Sequence, residues 1–408
     1  MSNAPIARYD VAAVRAHFPA LADGTAYFDG PGGTQTPDVV GRAMYDAITG
    51  PLSNRGTVSR AERNAEEIVH AARAALGDLL GADPRGVIVG RSMTQLTFDM
   101  ARTIAKTWRP GDQIVVTRLD HDANIRSWVT VALAAGVDVR WADFDPESGE
   151  LHPGEIEKLL GPRTRLVAVT AASNLIGTIP DLARIAGPVH AAGAWLYVDG
   201  VHYTAHRPVD MTALGADFYA CSPYKFLGPH CGVIAGRTDL LERLTPDKLI
   251  PSSDAVPERF ELGTLPYELM AGTTAAVDFL AGLVDSGAVG RRDRLLASLA
   301  ALERHEDHLR GLIETELTRF AGARLYSRAR CRTPTLLVTF DGHDPQGIRR
   351  ALADHRVNAP AGTFYAYEPA RHLGLGDTGG VRVGLAPYND VHDVERLVDA
   401  LATIVARR

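Results

Sequence analysis

Residues 196–236 read LYVDGVHYTAHRPVDMTALGADFYACSPYKFLGPHCGVIAG, and this stretch decides the fold. An apolar run over 194–198 ends on an acid, Asp199, as a strand buried in a parallel sheet does when its carboxyl end carries chemistry. Lys225 follows twenty-six positions later, inside Ser222-Pro223-Tyr224-Lys225 and ahead of Gly228 and Pro229. A lone lysine after a strand is usually a surface residue. Here the partners argue otherwise. A strand-end aspartate and a lysine between a serine and a glycine-proline turn suit pyridoxal 5'-phosphate (PLP). The amine forms the Schiff base, and the acid keeps the pyridine nitrogen protonated so that the ring serves as an electron sink.

Outward from that stretch, short Val/Ile/Leu-rich runs at 87–89, 113–117, 137–141, 165–170 and 195–198 alternate with helix-period segments. This alternation predicts an α/β fold with a mostly parallel sheet flanked by helices, because hairpins need much shorter connections. Residues 60–80 read as one helix with Ile68, Ala72, Ala75 and Leu79 on its buried stripe, and 95–107, 120–135 and 155–160 as further helices. Beyond about Asp285 the texture changes. A charged helix over 291–320 precedes strands at 336–340 and 381–385, with a helix over 345–355 between them and a last helix over 390–406. The predicted organisation is a large domain, 19–285, and a smaller α+β domain made of 1–18 and 286–408.

In an open parallel sheet, ligands sit beyond the carboxyl ends of the strands. Arg91-Ser92-Met93-Thr94 follows one strand and opens a helix, which reads as an ordinary cap or as a phosphate cradle of backbone N–H groups. His121 follows the next strand, as a cap or as a flat stacker on a heteroaromatic ring. Asn174, after the 165–170 strand, can donate to a phenolic oxygen. Taken with Asp199, the set matches what PLP needs and exceeds what a dehydrogenase needs.

Composition bounds the alternatives. With 408 residues, 43 basic and 49 acidic, the formal charge is −6, which speaks against nucleic acid or an anionic membrane as partner. No apolar run reaches the length of a membrane span and the first 20 residues carry no signal-peptide core, so a soluble cytoplasmic protein is expected. The three cysteines, Cys221, Cys231 and Cys331, form no CxxC pair and no disulfide framework. The letters of a dinucleotide fingerprint at Gly374-Leu375-Gly376-Asp377-Thr378-Gly379 precede a strand instead of following one, and read as a turn. His305 and His308 have metal-compatible spacing, but Glu303, Glu306 and Asp307 around them read as a solvated helix face, and no metal is expected.

From Tyr27-Phe28-Asp29-Gly30-Pro31-Gly32-Gly33 to the last helix, the chain resembles fold-type I PLP enzymes of the class V aminotransferase family, near the cysteine desulfurase/selenocysteine lyase branch. The most specific pieces are Asp199-Gly200-Val201-His202 and Ser222-Pro223-Tyr224-Lys225, supported by Asp120-His121-Asp122-Ala123-Asn124 and Ser173-Asn174-Leu175-Ile176-Gly177-Thr178. The resemblance implies that Lys225 is the Schiff-base lysine and proton shuttle, Asp199 the pyridine-nitrogen partner, His121 the ring stacker and Asn174 the neighbour of the ring oxygen. It implies that Met93, Thr94, Ser222 and Tyr224 hold the phosphate and that His202 lies near the cofactor. Arg382 would hold a substrate carboxylate and Arg55 would reach the substrate side. A homodimer is implied as well, with the partner chain's Thr264 near the phosphate.

One departure narrows the activity. Desulfurases carry a loop cysteine that takes the sulfur as persulfide, and the matching stretch, 357–366, reads VNAPAGTFYA. Cys331 lies before the 336–340 strand and is expected to be a packing residue, and Cys221 and Cys231 are expected to be buried neutral thiols. The expected reaction on a small amino-acid substrate is therefore C–S or C–Se lyase chemistry, a β-elimination through the external aldimine, without a persulfide cysteine. The alternatives are a class V aminotransferase, an epimerase or decarboxylating biosynthetic enzyme, and, from another class, a non-catalytic PLP-binding scaffold.

Overall fold

The computed structural model describes residues 9–405. Residues 1–8 of the expected small domain, and Ala406 at the end of the expected last helix, lie outside the described residues.

The main sheet has seven strands in the order Val87–Gly90, Gly232–Gly236, Phe218–Cys221, Trp195–Asp199, Thr164–Thr170, Gln113–Thr117, Asp138–Ala142. All neighbours run parallel except Gly232–Gly236, which is antiparallel to both of its own. The exception has a simple cause. The chain between Phe218–Cys221 and Gly232–Gly236 is too short for a helical crossover, so it must turn straight back, and Lys225 sits on that turn. Helices cover both faces, which is why the central strands are apolar throughout.

The second sheet, in the order Ala361–Gly362, Gly380–Gly384, Thr335–Phe340, Ala323–Leu325, is antiparallel. It packs on Leu309, Ile313 and Leu317 of the helix Arg291–Leu317 and on Leu397 and Leu401 of the helix Val391–Ile404. Arg15, at the end of the helix Val11–Arg15, bonds the Tyr388 carbonyl at 2.6 Å and Asp393 at 2.8 Å, tying the N-terminal segment to this region. Ala26–Tyr27 pairs in parallel with Val357–Asn358, which brings the Asp29–Gly33 stretch against the second sheet.

The helix Arg60–Leu80 forms where the periodicity placed it, opened by a Ser59/Glu62 capping box and closed at Gly81 with φ 59°. Its buried stripe runs through Ala65, Val69, Leu76 and the expected Ala72, Ala75 and Leu79, leaving Ile68 at the edge. The helix expected over 120–135 starts only at Ala123, because the Asp120 carboxylate is buried as an acceptor for Thr117 and for Asn124 Nδ2 at 2.7 Å. Two readings need correcting. The His305 face of the long helix is only partly solvated: His308 is exposed, but Glu306 is buried against His206 at 2.9 Å, and His305 stacks on Tyr9 while bonding the Asn389 carbonyl at 2.8 Å. The helix is packed on several sides, so its charges include buried ones that periodicity alone reads as surface. Cys331 is exposed, because its segment is a surface connection rather than part of the core.

Candidate active site

A cavity of about 390 Å³ opens at the carboxyl ends of the main-sheet strands and is closed on the far side by Pro360, Phe364, Tyr365 and Arg382. It brings together Met93 and Thr94 from one helix start, His121, Asn174, Asp199 and His202 from strand ends, and Ser222, Tyr224 and Lys225 from the hairpin turn. Arg55 and Thr264 do not line it. Arg55 is bound by Glu66 at 2.8 Å and Glu258 at 3.0 Å, and Thr264 is exposed.

Lys225 ends a single 3-10 turn, Pro223–Lys225, that aims its side chain back over the strand ends. Its Nζ donates to the carbonyls of Pro31 and, at 3.0 Å, Gly32, and lies 5.0 Å from the centroid of the Tyr224 ring. Burial, reinforced by the charge of Arg382 and opposed by Asp29 and Asp199, lowers the amine to about 7. A good share of the lysine is therefore neutral near physiological pH, as a nucleophile or a base requires.

Asp199 is 3 % exposed, and its Oδ1 accepts from the Val201 N–H at 2.9 Å. Burial raises its carboxyl to about 6, with that hydrogen bond and Lys225 pulling the other way. The next residue must be glycine: a Cβ on Gly200 would stand 1.9 Å from the Tyr219 ring. His121 Nδ1 accepts from the Ala123 N–H at 3.1 Å, and burial first, then Lys225 and Arg382, lowers the imidazole to about 4. It presents a neutral flat ring.

Besides Arg382 Nε, two buried atoms of cavity residues have no hydrogen-bond partner, Asn174 Oδ1 and His202 Nδ1. The other ends of both groups are held, Asn174 Nδ2 by the Phe364 carbonyl at 2.9 Å and His202 Nε2 by Thr333 and Thr335 at 2.8 and 2.9 Å. Oriented buried groups left open in a cavity fit a polar ligand. The helix Met93–Ala105 points its N-terminus at the same space, with Ser92 Oγ accepting from Gln95 N–H at 3.1 Å. The open N–H end, with Thr94 and Ser222, fits a phosphate. Gly232 lets this backbone approach, since a Cβ there would meet the Ser92 carbonyl carbon at 2.1 Å. The donor set thus fits PLP: an anion cradle, a ring-nitrogen acid, a flat stacker and an amine.

Arg382, 2 % exposed, is held by Asp29 at 2.8 Å, by the Asn174 carbonyl at 3.1 Å and by the Phe364 ring 3.7 Å from its guanidinium carbon. Its buried Nε has no partner. Burial lowers its pKa, with Asp29 opposing, yet a guanidinium remains cationic. Sequence reading marked the 357–366 stretch by its missing cysteine but did not name Phe364, Tyr365 or Asp29 as residues of the site. Asp29 stood in a glycine-proline run that reads as a loop. Phe364 and Tyr365 adopt φ of 56° and 57°, which no residue type there announces. Cys221 and Cys231 are buried, with burial pushing both thiols up, Cys231 to about 11. The glycines of 374–379 form the turn into the Gly380–Gly384 strand, as read from sequence.

The pattern of the aminotransferase class-V family matches residues 26–397. The chain belongs to that family. It is 32 % identical to uncharacterized protein MT3887 of Mycobacterium tuberculosis, over 97 % of this chain and 99 % of the relative. It is 30 % identical to the cysteine desulfurase CsdA of Escherichia coli, over 96 % and 97 % of the two chains. The crystal structure of CsdA superimposes with a TM-score of 0.85 at 27 % identity, covering 97 % of this chain and 98 % of that one. The protein is a cysteine desulfurase-like, PLP-dependent enzyme of class V. Among the described residues, no helix is long and apolar enough to cross a membrane.

Proposed function

We propose that this class V enzyme acts on a small α-amino acid and expels a leaving group from Cβ, as a C–S or C–Se lyase that forms no persulfide on the protein. The observation that carries it is Lys225, an amine lowered to about 7 in one cavity with Asp199 and Arg382. PLP, when bound, supplies the electron sink for the carbanion at Cα. Arg382 holds the substrate carboxylate, exchanging Asp29 or adding to it. Lys225 Nζ takes the Cα proton as general base and can return it to the product side. Asp199 would pair with the pyridine nitrogen and keep it protonated, and His121 would stack on the ring. No cysteine stands in 357–366, where Phe364 and Tyr365 wall the cavity instead.

The same reading makes the protein a homodimer. Leu262, two residues before Thr264 and 57 % exposed, and Ile250, 99 % exposed, are apolar side chains that a second copy would cover. Arg55 and Thr264 would then serve the neighbouring cavity. Unpaired thiols, one of them exposed, suit a reducing cytoplasm. Incubation with cysteine, selenocysteine and alanine, followed for sulfide, selenide, pyruvate and keto acids, tests the reaction. Elimination products are expected, and keto-acid formation with cofactor amination would replace this reading by transamination. Lys225→Ala is expected to remove the visible absorbance of the PLP-loaded protein, and an unchanged spectrum would overturn the lysine's role.

A further inference from the structure

The arginine that would receive a ligand's carboxylate already holds one from the protein. Asp29 Oδ1 accepts from Arg382 Nη2 at 2.8 Å, within the cavity that also contains Lys225. The pair is asymmetric: the Arg382 side chain is 2 % exposed and that of Asp29 31 %. Arg382 is fixed on other sides as well, by the Asn174 carbonyl on Nη1 at 3.1 Å and by the Phe364 ring against its guanidinium carbon. Among the described residues, the Asp29 carboxylate has no other hydrogen-bond partner. The arginine stays, and the acid is the member of the pair that can leave. Its backbone is pinned separately. The Asp29 carbonyl accepts from the N–H groups of Gly32 and Gly33 at 2.9 and 3.0 Å, and Asp29 bridges to Gly384. Rotation of the side chain therefore needs no opening of the turn. Gly32 keeps the seat free for it, since a Cβ there would stand 2.3 Å from Asp29 Oδ1.

A guanidinium grips a carboxylate through two parallel hydrogen bonds on one of two edges, Nε with Nη2 or Nη1 with Nη2. Nη2 belongs to both edges, and it is the nitrogen that Asp29 holds. A second carboxylate added there would share one nitrogen and one positive charge with Asp29, and like charges at that range repel. Exchange removes the conflict. We propose that Asp29 is a specificity residue: an internal carboxylate that occupies the Arg382 seat in the empty site and that the substrate's own carboxylate must displace. A ligand with an amine but no carboxylate leaves the Asp29–Arg382 pair standing and gains nothing from the arginine. This rests on the amino-acid reading of the site and adds to it a built-in competitor, which sets how strongly the carboxylate is demanded.

The test uses the PLP-loaded protein, with the change in its visible absorbance as binding readout. Affinities for L-alanine and for ethylamine are compared in the wild type and in Asp29→Asn. The asparagine oxygen can still accept from Arg382, so the buried guanidinium keeps a partner and the fold is retained, while the competing charge is gone. Asp29→Asn is expected to bind alanine about tenfold more tightly than the wild type, the scale of one charge-assisted hydrogen bond at a partly exposed site. Ethylamine, which has the amine and no carboxylate, should bind both proteins alike. An acid that merely positions Arg382 predicts the reverse, a loss of alanine affinity in the variant. Alanine binding that is unchanged or weaker in Asp29→Asn, or a gain that ethylamine shares, overturns the inference. If no amino acid moves the spectrum, the amino-acid reading itself fails. The inference is then read from the rise in thermal midpoint produced by propionate over propionamide: a larger rise in Asp29→Asn than in the wild type supports it, and an equal or smaller one overturns it.

Discussion

Lys225 and Asp199 are displaced from their ordinary values in opposite directions by the same cause, removal from water. The consequence for stability has a definite sign. Between about 7 and the ordinary lysine value of 10.5, the folded cofactor-free protein binds fewer protons at Lys225 than the unfolded chain does. Stability from this group therefore rises with pH across that window and is lost as pH falls through 7. Asp199 contributes oppositely, losing stability as pH rises from 3.8 to about 6. The difference in thermal midpoint between wild type and Lys225→Met should therefore shift in favour of the wild type from pH 7 to 10. A difference that stays flat with pH would show the amine to be unperturbed. The same displacement bears on cofactor capture. The rate at which cofactor-free protein traps PLP should rise through about pH 7, read by stopped-flow absorbance, and not near 10.5. On the proposed reading, Asp199→Asn removes the charge that would stabilise a protonated pyridine nitrogen, and turnover is expected to fall by about a hundredfold or more with the cofactor still bound.

The segment 359–368 is the element that sets this site apart. Phe364 and Tyr365 stand consecutively in left-handed backbone, which costs a non-glycine residue about 1–2 kcal/mol each. The surroundings hold them there: Asp122 N–H bonds the Tyr365 carbonyl at 2.8 Å, Asn174 holds the Phe364 carbonyl, and Glu368 is clamped by Arg118 and Arg126 at 2.8 and 2.5 Å. Tyr365 is 78 % exposed, so its side chain adds little packing. Tyr365→Gly should leave the melting temperature unchanged or slightly raised, and Tyr365→Val should lower it, since a branched Cβ tolerates positive φ worst. Glu368→Ala should accelerate hydrogen exchange across 362–368 while the main-sheet strands keep their protection. Elements of this kind explain what the sequence could and could not disclose. The strand-end residues Asp199, His121 and Asn174 were legible because apolar runs and their ends are local patterns. The 359–368 segment was marked by its missing cysteine, but its conformation was not legible, because it is imposed by Asp122, Asn174 and Arg118, which are remote in the chain. Glu306 was misread for the same reason: a charged helix face looks solvated until the element packed on it is known.

At the scale of the whole molecule, the strand end that carries the site is tied to the second sheet through a buried polar path. The turn after Asp199 delivers His202 to Thr333 and Thr335, which flank and open the Thr335–Phe340 strand. It also delivers His206 to Glu306 on the helix Arg291–Leu317, both 2 % exposed or less, with the two imidazoles edge-on at 4.9 Å. Arg382, which faces the cavity from the second sheet, keeps its distance from Lys225 only if this junction is rigid. Removing one partner leaves a buried polar group without its hydrogen bond, a loss of about 3 kcal/mol. Glu306→Leu or His206→Leu alone should therefore lower the thermal midpoint by about 3–4 °C in a chain of this size. The double replacement should recover much of that, because an apolar pair leaves nothing unsatisfied. The site supplies a second readout. Both single variants should weaken PLP retention on gel filtration, since Asp199 and His202 hang from the same turn. A double variant no more stable than the singles, or single variants that melt like the wild type, would show that the junction is held by the apolar core around Leu302 and Leu309 and owes nothing to this pair.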